Sequence, residues 1–175
     1  MADGSMKYHP VPVDEALFRQ GLSLWASGVA IATCQQEGRP VGLTVSSFAS
    51  VSVSPPRVLF CISKDSRSSR AFMLSDHVAI NILSEADRDL AIAFAGGADP
   101  SDRFTDQGWR TAPGQPPRFD RALVQLSGLV RTRIDAGSHD ILIVDVEQAT
   151  SGEGAPLLYF SRTFQTLAAP AAVGG

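Results

Sequence analysis

Cysteine, histidine and long apolar runs are all scarce in this chain, and each scarcity removes a class of function. The two cysteines, Cys34 and Cys61, form no C-x-x-C, and His9, His77 and His139 stand far apart, so the usual zinc spacings are missing and no metal site is expected. Both cysteines lie inside apolar, strand-like stretches, where a free thiol acts as a small buried hydrophobe; a reduced, cytoplasmic protein is expected. The longest apolar runs, residues 58–62 and 141–144, are far shorter than the ~20 residues that span a bilayer. MADGSMKYHP has no apolar h-region, so no secretory signal is expected. Nor is there an excess of positive charge: a net charge of −3 gives no field to draw nucleic acid or an anionic membrane. A G-x-G-x-x-G after a strand is absent, so any nicotinamide binds without a Rossmann site.

What remains is ordinary for a globular protein, with 44% apolar and 19% charged residues. A length of 175 residues gives one domain with room for a real core. We place that domain at residues 14–167, with an N-terminal tail at 1–13 and a small-residue, disordered C-terminal tail at 168–175.

The stretch GLTVSSFASVSVSPP, residues 42–56, organises the rest. Read at period two, Leu43, Val45, Ala49, Val51 and Val53 share one face, and Thr44, Ser46, Phe48, Ser50 and Ser52 the other. Residues 41–56 carry no charge. A row of hydroxyls without charge reads either as a surface meant to be covered or as a solvated edge strand.

Around it, Asp14 caps a helix whose stripe is Leu17, Phe18, Leu22 and Trp25, stopped by Gly28. Residues 29–34 read as a strand that pairs with the central stretch through the turn at 37–40. Residues 58–62 follow as a continuous apolar strand, buried on both faces or set in a barrel wall, then Ser63-Lys64-Asp65-Ser66-Arg67-Ser68-Ser69-Arg70 and a short helix at 71–74. A loop with hydroxyls and cations running into a helix is a phosphate cradle or a solvated turn with a serine cap; it has none of the glycines of a P-loop. Residues 78–83 form another strand. Ser84 and Asp87 resemble a capping box opening a helix to about residue 95, with Leu90, Ala91 and Phe94 inward. Residues 96–102 form a loop and 111–120 a turn-rich segment. In 122–134, Val124, Leu126, Val130 and Ile134 face inward and Gln125, Ser127, Arg131 and Arg133 outward; a turn at 135–138 returns the chain into a strand at 141–147. Residues 157–160 give a last strand. About seven short strands joined by hairpins, with three helices and no βα alternation, make a mainly β protein: a closed or partly closed antiparallel barrel with peripheral helices.

The segments GLTVSSFASVSVSPPRVLFCIS, SDHVAINIL, DRDLAIAFA followed by RF, IDAGSHDILIVDV and PLLYF occur in an order that resembles the short-chain flavin reductases, the reductase components of two-component flavin monooxygenases. That resemblance, over about residues 18–166, implies an FMN-binding, six-stranded split barrel. It also implies a homodimer, FMN or FAD reduced by NADH or NADPH, and a flavin-dependent monooxygenase that receives reduced flavin. It places Leu43, Thr44, Val45, Ser46, Ser47 and Ser50 along the flavin, Ile62, Ser63, Lys64, Ser68 and Ser69 toward its phosphate end, and Phe94, Arg103 and Phe104 on a closing segment. The family's Gly-Asp-His motif at the nicotinamide stands here as Gly137, Ser138 and His139, with Ser138 in place of the acid; by itself, a histidine beside a hairpin turn is simply a turn residue. The cofactors would carry the chemistry, so no general base is expected. A flavin-retaining oxidase of the pyridoxine-phosphate type and a non-catalytic flavin-binding module are the rival readings on the same scaffold.

Overall fold

The structure is a computed structural model and describes residues 12–100 and 102–167; both expected tails fall almost wholly outside those residues. In chain order it contains α1 (Glu15–Ser23), β1 (Ser27–Gly28), β2 (Ala30–Gln36), β3 (Arg39–Val45), β4 (Ala49–Val53), β5 (Pro56–Ser63) and α2 (Ser69–Leu74). Then come β6 (His77–Ile82), a 3₁₀ turn (Glu85–Asp87), α3 (Arg88–Ile92) and a π-turn (Ala93–Gly97). The rest is β7 (Trp109–Ala112), β8 (Gln115–Phe119), β9 (Val124–Ala136), β10 (His139–Ser151), β11 (Leu158–Phe160) and β12 (Thr163–Gln165).

The protein is mainly β and antiparallel. Its principal sheet has seven strands in the order β3-β2-β6-β9-β10-β5-β4, rather than six, and its ladder is open at β3 and β4. Those two edges are consecutive in sequence: the chain leaves one edge at Val45 and joins the other at Ala49. Ser47, between them, stands in for a missing ladder, because its hydroxyl donates to the Cys61 carbonyl at 3.1 Å and accepts from the Cys61 N–H at 3.0 Å. One core cluster takes Val45 from β3, Ala32 and Cys34 from β2, Ile80 from β6, Leu142 from β10 and Phe60 from β5, so the sheet curls around it and α2 plugs it with Phe72. The second core lies on the other side of β2, where Ile31, Ala91, Phe94, Trp109, Phe119 and Leu157 meet.

Several expectations change. The central stretch is two strands, not one. Leu43 and Val45 do face the core, but the break at 46–48 sends Phe48 against the core too, and Val51 and Val53 are exposed. A register shift in β4 between Ser50 and Ser52 finishes the rearrangement. In β5 only Val58, Phe60 and Ile62 are buried, a strict alternation that agrees with the barrel-wall alternative and not with burial on both faces. In β9 the register shifts around Arg131, where Val144 pairs with Val130 and Ile143 with Thr132. One extra residue exchanges the faces beyond it, which leaves Ile134 exposed and turns Arg133 inward to donate to the Ser75 carbonyl at 2.6 Å. The stretch 111–120 is largely the β7–β8 hairpin, with Pro116 and Pro117 buried on a two-stranded sheet whose ladder does not need their missing N–H. β12 was not expected, and the first helix ends at Ser23, so that Gly28 pairs with Leu158 instead of stopping it.

Asp14 caps α1 as expected, its carboxylate accepting from Ala16 and Leu17 N–H. The helix's apolar stripe, however, meets no core: Leu17, Phe18, Leu22 and Trp25 are all more than half exposed. The capping box at Ser84 and Asp87 is present, and α3 turns Ala91 into the core.

Candidate functional site

A cavity of about 440 Å³ opens between the β3 edge, the loop after β5 and the π-turn; it is lined by Leu43, Ser63, Asp65, Ser66, Arg67, Ser68, Phe94, Ala95, Gly96, Ala98 and Arg103. That volume lies within the ~300–1,000 Å³ of ordinary ligand pockets. Behind that lining the Gly42 carbonyl ties two of its side chains together, accepting from Ser68 Oγ at 3.3 Å and from Arg103 Nη1 at 3.2 Å. Arg103 Nη2 also donates to the Ala98 carbonyl at 3.4 Å, while its buried Nε has no hydrogen-bond partner. Nine in ten buried polar groups find a partner, so this buried N–H is an unsatisfied donor within the wall. Arg67, exposed at the rim, makes no ion pair among the described residues, and Ser63, Ser66 and Ser68 add hydroxyls. Asp65 is the one carboxylate in the lining and offsets part of the charge. The net donor character fits a phosphate monoester.

The roof of this cavity is built from aromatic packing. Phe94 stacks edge-on against Phe104 at 5.0 Å and lies 5.2 Å from Trp109, which is 5.0 Å from Phe119. This stack closes on β3 only because residue 42 has no side chain. A Cβ there would lie 2.7 Å from Phe94 and 3.1 Å from Phe104. Thr44 ties the same strand to α3 through a 2.6 Å bond from its hydroxyl to the Ala91 carbonyl. Around the π-turn, sharing Ala95, a second cavity of about 460 Å³ is lined by Val29, Thr44, Ser46, Ile92, Gly97, Tyr159, Arg162 and Phe164.

The sequence-derived residues therefore divide. Leu43, Ser63, Ser68, Phe94 and Arg103 line the first cavity, and Thr44 and Ser46 the second. Val45 and Ile62 are buried in the core, with 4% and 1% exposure, and line neither. Phe104 supports Phe94 from behind, Ser69 is buried at the start of α2, Ser47 is committed to Cys61, and Ser50 is exposed on the β4 edge. Lys64 turns away from the cavity: its Nζ lies 2.7 Å from Asp135 and 3.9 Å from Asp140. Gly137, Ser138 and His139 form the exposed turn between β9 and β10, and Ser138 Oγ lies 2.9 Å from His139 Nδ1. In the β5–β10 ladder His139 pairs directly with Ser63, which lines the first cavity, so their side chains share a face of the sheet. Ser66, Arg67 and Asp65 were absent from the sequence-derived set, although the Ser-rich loop itself marked them. Tyr159, Arg162 and Phe164 gave no signal, because only the fold brings the last hairpin beside β3. Burial pushes the Cys34 thiol up to about 11, which leaves it no nucleophilic role.

A sheet-edge cavity that gathers two arginines and three serines beneath an aromatic stack has the make-up of a binding site for an anionic ligand. The model of the flavin reductase-like domain matches residues 22–168, and the chain belongs to that family. It is 36% identical over 158 residues to an FMN reductase (NADH), RutF, of Methylorubrum extorquens, covering 90% of this chain and 77% of that one. It is 34% identical over 165 residues to the reductase component of a 4-nitrophenol 4-monooxygenase/4-nitrocatechol 2-monooxygenase of Rhodococcus opacus, covering 94% and 88%. Among solved structures, flavin reductase PheA2 superposes with a TM-score of 0.81 at 32% identity, covering 90% of this chain and all of that one (100%). Among the described residues, no helix is long and apolar enough to cross a membrane.

Proposed function

We propose that this protein is an NAD(P)H-dependent flavin reductase that reduces FMN or FAD and hands the reduced flavin to a separate flavin-dependent monooxygenase. The observation that carries this reading is the cavity in which Arg103, Arg67 and three serines converge beneath Phe94. The flavin, when bound, carries the redox chemistry with the nicotinamide as electron donor. The chain's own residues bind and orient. Arg103 and Arg67, with the hydroxyls of Ser63 and Ser66, hold the phosphate end. The Ser46 hydroxyl and the backbone of residues 44–47 lie along the strand edge where the ring system is held, the Thr44 and Ser47 hydroxyls being engaged with Ala91 and Cys61. Phe94 excludes water from above, and His139, opposite Ser63 in the ladder, lies on the side from which a nicotinamide approaches.

The finer architecture belongs to the same reading. The sheet edges joined by Ser47 support a split barrel of six strands, with β4 an appended edge hairpin partner of β5. The uncovered stripe of α1, with Trp25 at 77% exposure, supports a homodimer in which a second copy covers it. A cytoplasmic location accords with two free cysteines. Transfer to a monooxygenase follows the Rhodococcus opacus relative, itself a reductase component.

The test is a steady-state assay crossing FMN, FAD and riboflavin with NADH and NADPH, followed at 340 nm. Oxidation that depends on added flavin, with reduced flavin recovered outside the protein fraction, is the expected result. A flat trace with every pair overturns the proposal. Flavin retained through gel filtration points to the oxidase reading instead.

A further inference from the structure

Among the residues of the loop that borders the candidate site, Lys64 is the one whose contacts disagree most with its place in sequence. It sits in the hydroxyl-and-cation loop, yet its ammonium leaves that loop's cavity and joins the turn between β9 and β10. There it lies 2.7 Å from the Asp135 carboxylate and 3.9 Å from Asp140. Its backbone N–H donates to the Ser138 carbonyl at 3.0 Å, so main chain and side chain grip the same turn. Asp135 also accepts from Gly137 N–H at 3.0 Å, fixing the turn's left-handed glycine at φ +80°. The next residues are Ser138, whose hydroxyl lies 2.9 Å from His139 Nδ1, and His139 itself, which pairs with Ser63 on one side and Ala136 on the other.

We propose that Lys64 is a positioning residue for the nicotinamide turn, clamping Asp135 and Asp140 so that His139 is presented beside the flavin cavity, and that it does not bind the flavin phosphate. This rests on the reading of His139 as part of the nicotinamide site. Charge balance supports it. Asp140 is buried to 7% exposure, and the Lys64 ammonium is the cation beside it, which a carboxylate removed from water needs. The mutual hydrogen bond holds the Asp135 carboxyl below its ordinary value and the Lys64 ammonium above its own, so both stay charged at neutral pH. The acid that the family's Gly-Asp-His motif carries at residue 138 is thus replaced by an acid three residues earlier, held in place by a lysine from β5's loop.

The experiment compares Lys64→Met, Lys64→Arg, Asp135→Asn and His139→Ala with the wild type. FMN and riboflavin affinities are measured by flavin fluorescence and the NADH KM at saturating flavin. Asn at 135 keeps the oxygen that accepts the Gly137 N–H, so that variant removes the charge alone. Because Lys64→Met also strips the cation from buried Asp140, Asp135→Asn is the variant that keeps the test readable if the first fails to fold. Expected are an NADH KM raised about two- to fivefold in Lys64→Met and Asp135→Asn, the range of an exposed ion pair, and recovery in Lys64→Arg. The preference for FMN over riboflavin should not change. The Asp135→Asn difference should also fade in 1 M salt, where the screening length is about 3 Å. If Lys64→Met weakens FMN but not riboflavin, the lysine is a phosphate ligand and the proposal is wrong. If His139→Ala raises the KM while Lys64→Met and Asp135→Asn leave it unchanged, the clamp is idle and fails alone. If His139→Ala itself has no effect, the nicotinamide reading falls and takes the clamp with it.

Discussion

Gly42→Ala is the most informative single change, because one methyl strikes both the packing of the roof and the wall of the cavity. The added carbon would sit 2.7 Å from Phe94 Cε1, 3.0 Å from Phe94 Cδ1 and 3.1 Å from Phe104 Cζ. Carbon–carbon contacts are comfortable only at ~3.5–4.0 Å, so the rings must retreat. They have little room: Phe94 is 2% exposed and is wedged against Phe104 and Trp109. Overpacking of this kind costs about 1–3 kcal/mol, which for a chain of this size lowers the Tm by roughly 2–12 °C. The same shift moves the Gly42 carbonyl away from Ser68 and Arg103. With two hydrogen bonds of about 1 kcal/mol each disturbed, FMN affinity should fall roughly tenfold or more. Differential scanning fluorimetry and an FMN titration read the two effects separately. Phe94→Leu, which removes the closest ring atom, should cost less in the Gly42→Ala background than alone, a coupling that a double-mutant cycle measures. Strict additivity, or an unchanged Tm with unchanged FMN affinity, refutes the steric argument.

Other outcomes follow from single contacts. Arg162 sits at φ +62° in the β11–β12 turn, conformational space that costs a side chain about 1 kcal/mol, so Arg162→Gly should raise the Tm by roughly 2–4 °C in a thermal melt. Ser47→Ala strips both hydrogen bonds from the Cys61 backbone and should lower the Tm by roughly 2–6 °C, while Ser50→Ala on the exposed β4 edge serves as the silent control in the same melt. Asp106 is held below its ordinary value by its hydrogen bond to Arg121 and, second, by the Gly108 N–H. A carboxyl whose folded pKa is depressed contributes stability that is complete above its ordinary value of 3.8 and is lost as pH falls through the folded value. Asp106→Asn should therefore lower the Tm by about 1–3 °C at pH 7 and by less at pH 3, as a pair of thermal melts would record.

How far the sequence revealed these contacts depended on their range. Alternation placed Leu43 and Val45 on the core face of β3, and helical spacing placed Ala91 of α3 and Phe94 of the π-turn inward, because periodicity is local. Bulges are not local in that sense: nothing near Arg131 or Val51 announces the extra residue that turns Ile134 and Val51 outward. The prolines that made 111–120 look like a bare turn are tolerated in β8 because its partner ladder is short. The Ser-rich loop was legible as a cluster of donors, but which donor faces the cavity was not. Lys64 and Arg67 are three residues apart and read alike; only the position of Asp135, reached through the β10 ladder, sends the one away and leaves the other at the rim. Asn81, buried between Ile31 and Phe119 and bonded to both backbones, gave no signal either, since its partners lie in β2 and β8.

The central claim is that the cavity beneath Phe94 is a seat for a flavin phosphate, and the ratio of FMN to riboflavin affinity tests it most directly. The wild type should bind FMN at least about tenfold more tightly than riboflavin, as charge-assisted bonds from Arg103 require, and Arg103→Met should erase that preference while leaving riboflavin binding in place. Equal affinities in the wild type, or a preference that survives Arg103→Met, would contradict the account.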